Sequence, residues 1–530
     1  HVDMACWKGR LYVGWNSCQR DEDVWPSREL FSTSVNGIEW TEPAEMFPQG
    51  LSRCLRIYFY HAANGRMLCI AGLRNDLSRT NEDTKGPLVV REIRPDHSWG
   101  DVFTLQRSSA DAGGPDLFEQ SPDSGFVEAC RQLLADTVFL EQQDRGRLLG
   151  SRRMKWHEPS AWPAGKVPGD NEKWVAGKAY SFFRRPDGAI VGVSKMGWTT
   201  ISFDDGKTWA QPLVPQTLVT GKAKVWGQRT ADGRYVLVYN PSRKNRYPLV
   251  VVTSDDGVTY SDMRIVQGEL PIQRYEGADR SIGPQYVRGI SHWSDDGSRA
   301  PEPVLWLVYS MNKEDIWVSR VPLPIRAEVA PNPGGREGPA LAARSWEDWN
   351  LYVPKWAKID PIEGGLRLEN CDPYDYAAAT WVFGQMRRVI IRFQITAIWT
   401  DRGMLDIDVA SKFGSKGSVR LSLIQGGQLA LCGGDRFIPV GRCRANEPVE
   451  VTLAIDAGAQ RWMLTVKGRD LEFQQEVPFS EPAEDVHRII FRTGGYRGVG
   501  GKKPVPIGTD RPTEPCAFEI RDLRASAGET

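Results

Sequence analysis

Three arginines stand beside glycine or small polar residues at the ends of predicted strands, where a guanidinium has room for a ligand. Arg74 lies in AGLRND, Arg229 in WGQRTADGRY and Arg288 in GPQYVRGI. A guanidinium donates two parallel hydrogen bonds to a carboxylate, so these residues suit an acidic ligand. Each arginine could instead form a structural salt bridge. Convergence of all three arginines at one site would argue for ligand binding. We predict that Arg229 and Arg288 hold a substrate carboxylate, with Arg74 as the third partner.

A second group of residues offers a surface for a sugar ring. The segment RMKWHEPSAW places Lys155, Trp156, His157 and Glu158 in succession. An aromatic ring can pack on the apolar face of a sugar, and an imidazole titrates near neutral pH and can act as a base. We predict that Lys155, Trp156 and His157 contribute to substrate binding. The alternative is that His157 is an ordinary core or surface histidine.

A repeated turn marks the elements that must position these residues. It occurs in SFDDGKTWA, TSDDGVTYSD and TSVNGIEWTEP, and in a weaker form in HWSDDGSRAPEP. Ser and Asp side chains hydrogen-bond nearby backbone amides, and glycine supplies a positive φ. We assign Asp204 and Asp255 as the turn carboxylates of the first two copies. Repeats at these intervals indicate stacked or radially arranged units.

With these turns, residues 1 to about 325 resemble the sialidase (neuraminidase) superfamily, whose Asp-box hairpins join the outer strands of β-propeller blades. The resemblance implies an active site at the central mouth, away from the hairpins. It also implies an acidic sugar held by three arginines, a Tyr nucleophile assisted by Glu, and an Asp acid/base, outside the usual two-carboxylate scheme. The family's Phe-Arg-Ile-Pro motif is absent, and LRIYFY with Arg56 is only distantly similar.

The resemblance assigns roles to one tyrosine and three carboxylates. Tyr286, two residues before Arg288, resembles the nucleophile region, with Tyr239 as the alternative. Asp23 or Glu22, in the early loop SCQRDEDVWPSRE, would be the acid/base, and a solvated acidic loop is the alternative. Glu314, in NKEDIWVSR, is the further catalytic carboxylate.

The rest of the chain predicts an all-β protein. Short apolar runs bounded by Gly, Asn, Asp or Pro indicate antiparallel strands, and about 325 residues suit six blades, with five as the alternative. GFVEACRQLLADTVFLEQQDRGR is the exception, an amphipathic helix inserted between blades. We predict a propeller over 1–327, a Pro/Gly-rich linker over 328–344 and a jelly-roll or laminin-G-like β-sandwich over 345–530.

Composition limits the function classes. Basic and acidic residues both number 67, so the net charge of zero argues against a nucleic-acid binder. No long apolar run spans a membrane. The nine cysteines form no C-x-x-C pair and no metal-type grouping with histidine, and they suggest buried thiols. We therefore predict no metal, no cofactor and a glycan as the partner.

These observations predict a secreted, periplasmic or cell-surface enzyme, monomeric or a small homo-oligomer. Its function is that of an exo-acting glycoside hydrolase that removes a terminal, acidic sugar. Two alternatives stay open. One is a propeller polysaccharide lyase acting on a uronate-containing glycan, and the other is a glycan-binding propeller without catalysis.

Overall fold

The computed structural model describes residues 2–18, 27–48, 57–74, 85–107, 114–143, 156–157, 165–166, 179–210, 212–221, 223–242, 245–277, 281–290, 304–325, 341–343, 348–411, 417–433, 436–497 and 510–528. The chain divides into two compact units, His1–Ile325 and Arg326–Thr530. The first is a β-propeller and the second a β-sandwich, so the predicted all-β fold is confirmed. Seven cysteines of the described residues are free thiols. The predicted linker falls largely outside the described residues.

Five antiparallel sheets form the blades, and the first strand of each is the inner one. Their strands are, for blade 1, β1 (Val2–Trp7), β2 (Arg10–Cys18), β3 (Ser27–Ser34) and β4 (Ala44–Glu45); for blade 2, β5 (Ile57–His61), β6 (Met67–Arg74), β7 (Lys85–Ile93) and β8 (Phe103–Gln106); for blade 3, β11 (Ser181–Arg184), β12 (Ile190–Val193) and β13 (Thr199–Ser202); for blade 4, β16 (Trp226–Arg229), β17 (Tyr235–Tyr239), β18 (Leu249–Ser254) and β19 (Ser261–Gln267); for blade 5, β20 (Pro284–Gly289), β21 (Val304–Met311) and β22 (Asp315–Pro322). Two short ladders pair β9 (Trp156–His157) with β14 (Trp209–Ala210) and β10 (Gly165–Lys166) with β15 (Val214–Pro215).

Two helices occupy the sector between blades 2 and 3, which corrects the preferred number of six blades. Helix α1 (Ser124–Ala135) packs Phe126 and Leu133 on blade 2, and α2 (Thr137–Gln142) packs Val138 on blade 3. Asp136 ends α1 and accepts from the backbone N–H of Phe139 as the N-cap of α2 (2.8 Å). Counting blades by length failed here because helices of 12 and 6 residues occupy this sector in place of strands.

The end of α2 meets three inner strands at the propeller axis. The Oε1 of Gln142 accepts from the backbone N–H of Phe182 in β11 (2.8 Å). The carbonyl of Gln143 accepts from the hydroxyl of Tyr58 in β5 (2.9 Å). Arg288 in β20 donates to the carbonyl of Gln142 (3.4 Å). Because buried polar groups require partners, these bonds fix the helix end against blades 2, 3 and 5.

The repeated turns have the hydrogen bonding that the sequence predicts. We call residues 34–39, 202–209 and 254–260 the Ser–Asp turns. In the second of them Ser202 Oγ donates to Asp204 (2.8 Å), which accepts from the backbone N–H of Thr208 (2.8 Å). In the third, Asp256 takes this role and Ser254 Oγ donates to it (2.9 Å), so the assignment of Asp255 was wrong by one residue.

Each Ser–Asp turn packs on the preceding sector through its glycine. A Cβ on Gly257 would lie 3.0 Å from Phe183 of blade 3, and one on Gly206 would lie 2.7 Å from Val138 of α2. A Cβ on Gly37 would overlap the ring of Trp306 in blade 5. The turn of blade 1 therefore rests on the last blade and closes the ring.

The sandwich consists of two facing sheets. Its strands are β23 (Leu341–Ala342), β24 (Trp349–Tyr352), β25 (Ala357–Ile362), β26 (Gly365–Asn370), β27 (Ala378–Met386), β28 (Arg388–Ala397), β29 (Leu405–Ala410), β30 (Val419–Ile424), β31 (Gln428–Gly433), β32 (Arg436–Arg442), β33 (Val449–Asp456), β34 (Arg461–Gly468), β35 (Leu471–Pro478), β36 (Val486–Arg492) and β37 (Cys516–Ala527). One sheet has the order β25-β26-β37-β28-β33-β34-β35, with β23 beside β37, and the other has the order β24-β27-β36-β29-β30-β31-β32. Alternate residues such as Leu453 and Ile407 fill the core between them.

Closure of the ring at Gly37 can be tested with a matched pair. Gly37 and Gly9 both have positive φ, 71° and 78°, but nothing lies within 4 Å of a Cβ on Gly9. Gly9→Ala should cost about 1–2 kcal/mol through the backbone alone. Gly37→Ala adds overlap with Trp306 and should cost about 2–5 kcal/mol. Urea unfolding of both variants measures the difference, and equal losses would contradict packing of this turn on blade 5.

Candidate functional site

The two ends of the propeller differ in what they carry. In blade 4, Arg229 ends the inner strand and pairs with Tyr235, which pairs with Ser254 at the start of a Ser–Asp turn. We call this the lower end. The upper end carries the first residues of the inner strands and the β17–β18 and β21–β22 hairpins.

Three cationic side chains surround Tyr286 at the upper end. From the centroid of its ring, the Cζ of Arg246 lies at 5.1 Å, the Nζ of Lys313 at 5.6 Å and the Nζ of Lys224 at 5.7 Å. They come from the β17–β18 hairpin, the β21–β22 hairpin and the segment before β16. We call Lys224, Arg246 and Lys313 the cationic cluster. Such a concentration of like charge suits an anionic ligand.

The backbone of Tyr286 is strained. Its φ is 58°, and a bulge places Tyr286 and Val287 between the pairs Gln285↔Ser310 and Arg288↔Val308. A left-handed conformation of a residue other than glycine costs about 1–3 kcal/mol and persists only where the surroundings impose it. Bulges re-aim side chains and occur next to active sites.

Lys313 lies at the tip of a turn that normally carries glycine. Asn312 and Lys313 have φ of 56° and 58°, and the backbone N–H of Glu314 donates to Met311 O (2.9 Å). Two positive φ values define the I′-type hairpin turn, for which Asn-Gly is preferred. Lysine at the second position keeps the strain and adds a charge close to Tyr286.

Arg246 is held by the backbone behind it. Its carbonyl accepts from Asn240 Nδ2 (3.0 Å), and a Cβ on Gly283 would overlap that carbonyl. Its guanidinium donates to Gln285 Oε1 (2.7 Å), one residue before Tyr286. The arginine is thereby fixed beside the tyrosine.

Glu314 and Asp315 lie next to the cluster but contact the segment before β20. The Glu314 carboxylate accepts from the backbone N–H groups of Arg274 (3.0 Å) and Tyr275 (2.7 Å). Burial raises the pKa of Glu314, while these amide hydrogen bonds lower it. Asp315 accepts from Arg274 Nη2 (2.5 Å).

The structure separates Arg229 from Arg288. Arg229 is exposed at the lower end, where its Nε lies 3.4 Å from Gly233 O. Arg288 is buried at the axis, with its guanidinium 5.6 Å from the ring centroid of Trp226. These positions do not support the predicted joint grip on one carboxylate, because Arg229 is exposed at the lower end whereas Arg288 is buried at the axis, where it donates to the carbonyl of Gln142.

The other predicted residues are described only in part. Arg74 ends β6 at the upper end, opposite Lys85, and its side chain is outside the described residues. Trp156 and His157 form β9, which pairs in parallel with β14, and their side chains also lie outside the described part of the chain. Glu22, Asp23 and Lys155 also lie outside the described residues.

Sequence reasoning missed Lys224, Arg246 and the role of Lys313. Arg246 lies in the basic turn PSRKNRYP, and Lys313 follows an asparagine in a predicted hairpin. These were the available signals, but neither has a spacing that connects it to Tyr286.

Asp3 forms a titratable site at the axis. It is 5% exposed and accepts from the backbone N–H of Phe59 (2.9 Å). Burial raises the pKa of Asp3 to about 6, against the opposing effect of the Arg288 charge. The folded protein therefore favours the protonated acid more than the unfolded chain does.

This shift predicts a pH-dependent stability. The contribution of protonated Asp3 is complete below its ordinary pKa of 3.8 and is lost as the pH rises through about 6. Asp3→Asn keeps an acceptor for Phe59 and stays neutral. Between about pH 4 and pH 7, the unfolding free energy of the native protein should fall by up to about 3 kcal/mol relative to this variant. Urea titrations at each pH measure this difference, and a difference that does not change with pH would refute the assignment of Asp3.

Two family models and several solved structures match the chain. Residues 349–502 match the family "Sialidase-like, CBM domain" and residues 1–145 match a family described as N-terminal beta propeller. A solved structure titled "Sialidase" superposes with a TM-score of 0.82 at 27% identity over 100% of this chain, which spans 50% of that protein. Trypanosoma rangeli sialidase in complex with 2,3-difluorosialic acid matches at 12% identity, with a TM-score of 0.33 over 99% of this chain and 90% of that chain.

A further match concerns a short segment. The N-methyl-L-tryptophan oxidase of Salmonella typhi is 31% identical over 93 residues, 18% of this chain and 23% of that protein. In the described part of the chain, no helix is long and apolar enough to cross a membrane and no group of His, Cys, Asp or Glu could hold a metal ion.

The predicted resemblance is confirmed: the chain is a sialidase-like β-propeller followed by a sandwich of the "Sialidase-like, CBM domain" type, the architecture of a carbohydrate-active or carbohydrate-binding protein.

Proposed function

We propose that the propeller is an exo-acting glycoside hydrolase that removes a terminal acidic sugar at its upper end. The observation that carries the proposal is the cationic cluster around Tyr286, a tyrosine with a strained backbone. Strain and concentrated like charge both oppose folding, so their coincidence is expected where a ligand uses them. Three separate chain segments supply the three charges. An accidental contact between two charged side chains on a surface would not need to bring three segments together.

The cluster supplies the recognition of the sugar carboxylate in this proposal. Arg246 offers a planar fork for two parallel hydrogen bonds, and Lys224 and Lys313 offer point charges around it. Lys224 is 9% exposed, so its charge is screened little by solvent. A neutral sugar would gain little from this arrangement. Arg74, at the same end of β6, stays a candidate for a further contact.

Tyr286 is the proposed nucleophile. The Tyr286 oxygen attacks the anomeric carbon as its phenolic proton passes to water, and the bond from that carbon to the leaving oxygen breaks. A second water later attacks the anomeric carbon and releases the sugar, and the tyrosine oxygen regains a proton from solvent. Asp23 or Glu22 would protonate the leaving oxygen and then activate the water, which the resemblance implies. A phenol suits a sugar with a carboxylate at its anomeric centre, because a carboxylate nucleophile would be repelled. The cluster would stabilise negative charge on the Tyr286 oxygen as its proton leaves.

Substitutions at the upper end test this proposal. On an aryl glycoside of an acidic sugar, Arg246→Ala should lower kcat/KM about 10- to 150-fold, because a charge-assisted contact is lost. Tyr286→Phe should lower kcat more than about 1000-fold if the hydroxyl is the nucleophile. Arg229→Ala, at the lower end, is the matched arginine control and should stay near native. Unfolding midpoints separate these effects from loss of fold.

A panel of acidic glycans distinguishes the hydrolase from the alternative functions. For each glycan, the release of reducing sugar and the ultraviolet absorbance of an unsaturated uronate are both measured. Hydrolysis gives only the first signal, whereas elimination gives both. Elimination would assign Tyr286 as the base and the cluster as the carboxylate-neutralising group of a lyase. Binding of acidic sugars without any product would identify a glycan-binding propeller.

A further inference from the structure

Glu314 uses its carboxylate on the backbone of a neighbouring segment. Its Oε1 accepts from the N–H groups of Arg274 (3.0 Å) and Tyr275 (2.7 Å), and its Oε2 lies 3.1 Å from the first of these. The side chain is 1% exposed. A buried carboxylate that accepts several backbone hydrogen bonds fixes the chain that donates them.

Two further contacts attach the same segment, residues 271–275, to the β21–β22 hairpin. Asn312 Nδ2 donates to Pro271 O (3.1 Å), and Arg274 Nη2 donates to Asp315 (2.5 Å). The Arg274 side chain is 5% exposed and that of Asp315 is 23% exposed, so this ion pair is buried on the arginine side and partly exposed on the carboxylate side. Consecutive hairpin residues on both sides of Lys313 are thus held by one segment.

The hairpin is also attached to the chain that leads into β20. The backbone N–H of Asn312 donates to Gly283 O (3.0 Å), and the N–H of Gly283 donates to Asn312 Oδ1 (2.8 Å). Tyr286 follows three residues later. The turn that carries Lys313 is therefore held by the segment 271–275 and by the chain that leads into β20. These contacts must offset the backbone strain of Lys313, about 1–3 kcal/mol at its φ of 58°.

We propose that Glu314 is a positioning residue that keeps Lys313 in its left-handed conformation beside Tyr286. It acts through the amides of Arg274 and Tyr275 and does not exchange protons with the substrate. The effect of Glu314 on catalysis rests on the proposed function, whereas its effect on the conformation of Lys313 does not. It replaces the catalytic role that the sequence suggested for Glu314.

The contacts argue against direct acid/base work by Glu314. A general base must lie within hydrogen-bond reach of the substrate proton, and a side chain that is 1% exposed offers little access. Protonation would also remove the charge that strengthens the hydrogen bonds from the amides of Arg274 and Tyr275. Lys313, at the tip of the turn, is the residue of this hairpin that faces the Tyr286 ring.

Glu314→Gln tests the proposal, because it removes the charge that strengthens the hydrogen bonds accepted by Oε1 and replaces Oε2 with an NH₂ group. Hydrogen exchange of the full chain should accelerate at least about tenfold for the amides of Arg274 and Tyr275 and in the peptide around Asn312. Glu276→Gln, an exposed glutamate of the same region, is the matched control and should exchange at the native rate. Native exchange rates in Glu314→Gln would overturn the proposal.

Kinetics separate positioning from catalysis. On an aryl glycoside of an acidic sugar, Glu314→Gln should raise KM about tenfold and change kcat less, with the shape of the pH profile retained. A collapse of kcat with native KM and loss of one limb of the profile would identify Glu314 as an acid or base and overturn the proposal. If the native protein hydrolyses nothing, the proposed function fails, whereas the exchange result still decides the positioning role.

A second variant protects the test against misfolding. Asp315→Asn loosens Arg274 without altering Glu314 and should accelerate exchange in the same two peptides, by a smaller factor. If Glu314→Gln does not fold, native exchange in Asp315→Asn would overturn the proposal. Acceleration that is confined to these peptides would support it.

Discussion

Closure of the ring around its axis is the constraint on which the propeller depends. Inner strands expose backbone and side-chain polar groups to a narrow, buried axis, where each group needs a partner. The end of α2 supplies several of them, because Gln142 and Gln143 are bonded to three inner strands. A helical sector can thus replace a blade: it presents apolar side chains to blade 2 on one side and to blade 3 on the other, as a sheet would, and it adds the polar groups that join them.

The two ends of this ring divide stability and chemistry. At the lower end, each Ser–Asp turn satisfies its own polar groups and packs its glycine on the preceding sector, and Lys8, His97 and Asp205 of this end have positive φ. The upper end combines positive φ at Tyr286 and Lys313 with a bulge and with three cations near one ring. Such features cost stability, and a closed ring below them can hold them in place.

What the sequence predicts follows from the range of the interactions. A Ser–Asp turn is complete within eight residues, so the sequence alone predicts both the turn and the propeller fold, although Asp255 was assigned the role of Asp256. Strand alternation likewise predicts the sandwich. The upper end is assembled from segments around residues 224, 246, 286 and 313, and no local pattern connects them. Arg229 and Arg288 have similar flanking residues, GQRT and YVRG, yet the first ends its strand at the lower end and the second is buried at the axis.

The small residues next to the charged side chains, and not the charged side chains themselves, therefore determine where the site forms. Gly283 admits the carbonyl of Arg246, and Gly221 admits that of Ser242 in the same hairpin while its N–H donates to Asn240 O (3.0 Å). Asn312 joins the hairpin that carries Lys313 to Gly283 and to Pro271. A Cβ at Gly283 would displace the backbone that positions Arg246. Glycine and asparagine next to strand ends at the upper end thus carry more information about this site than its arginines do.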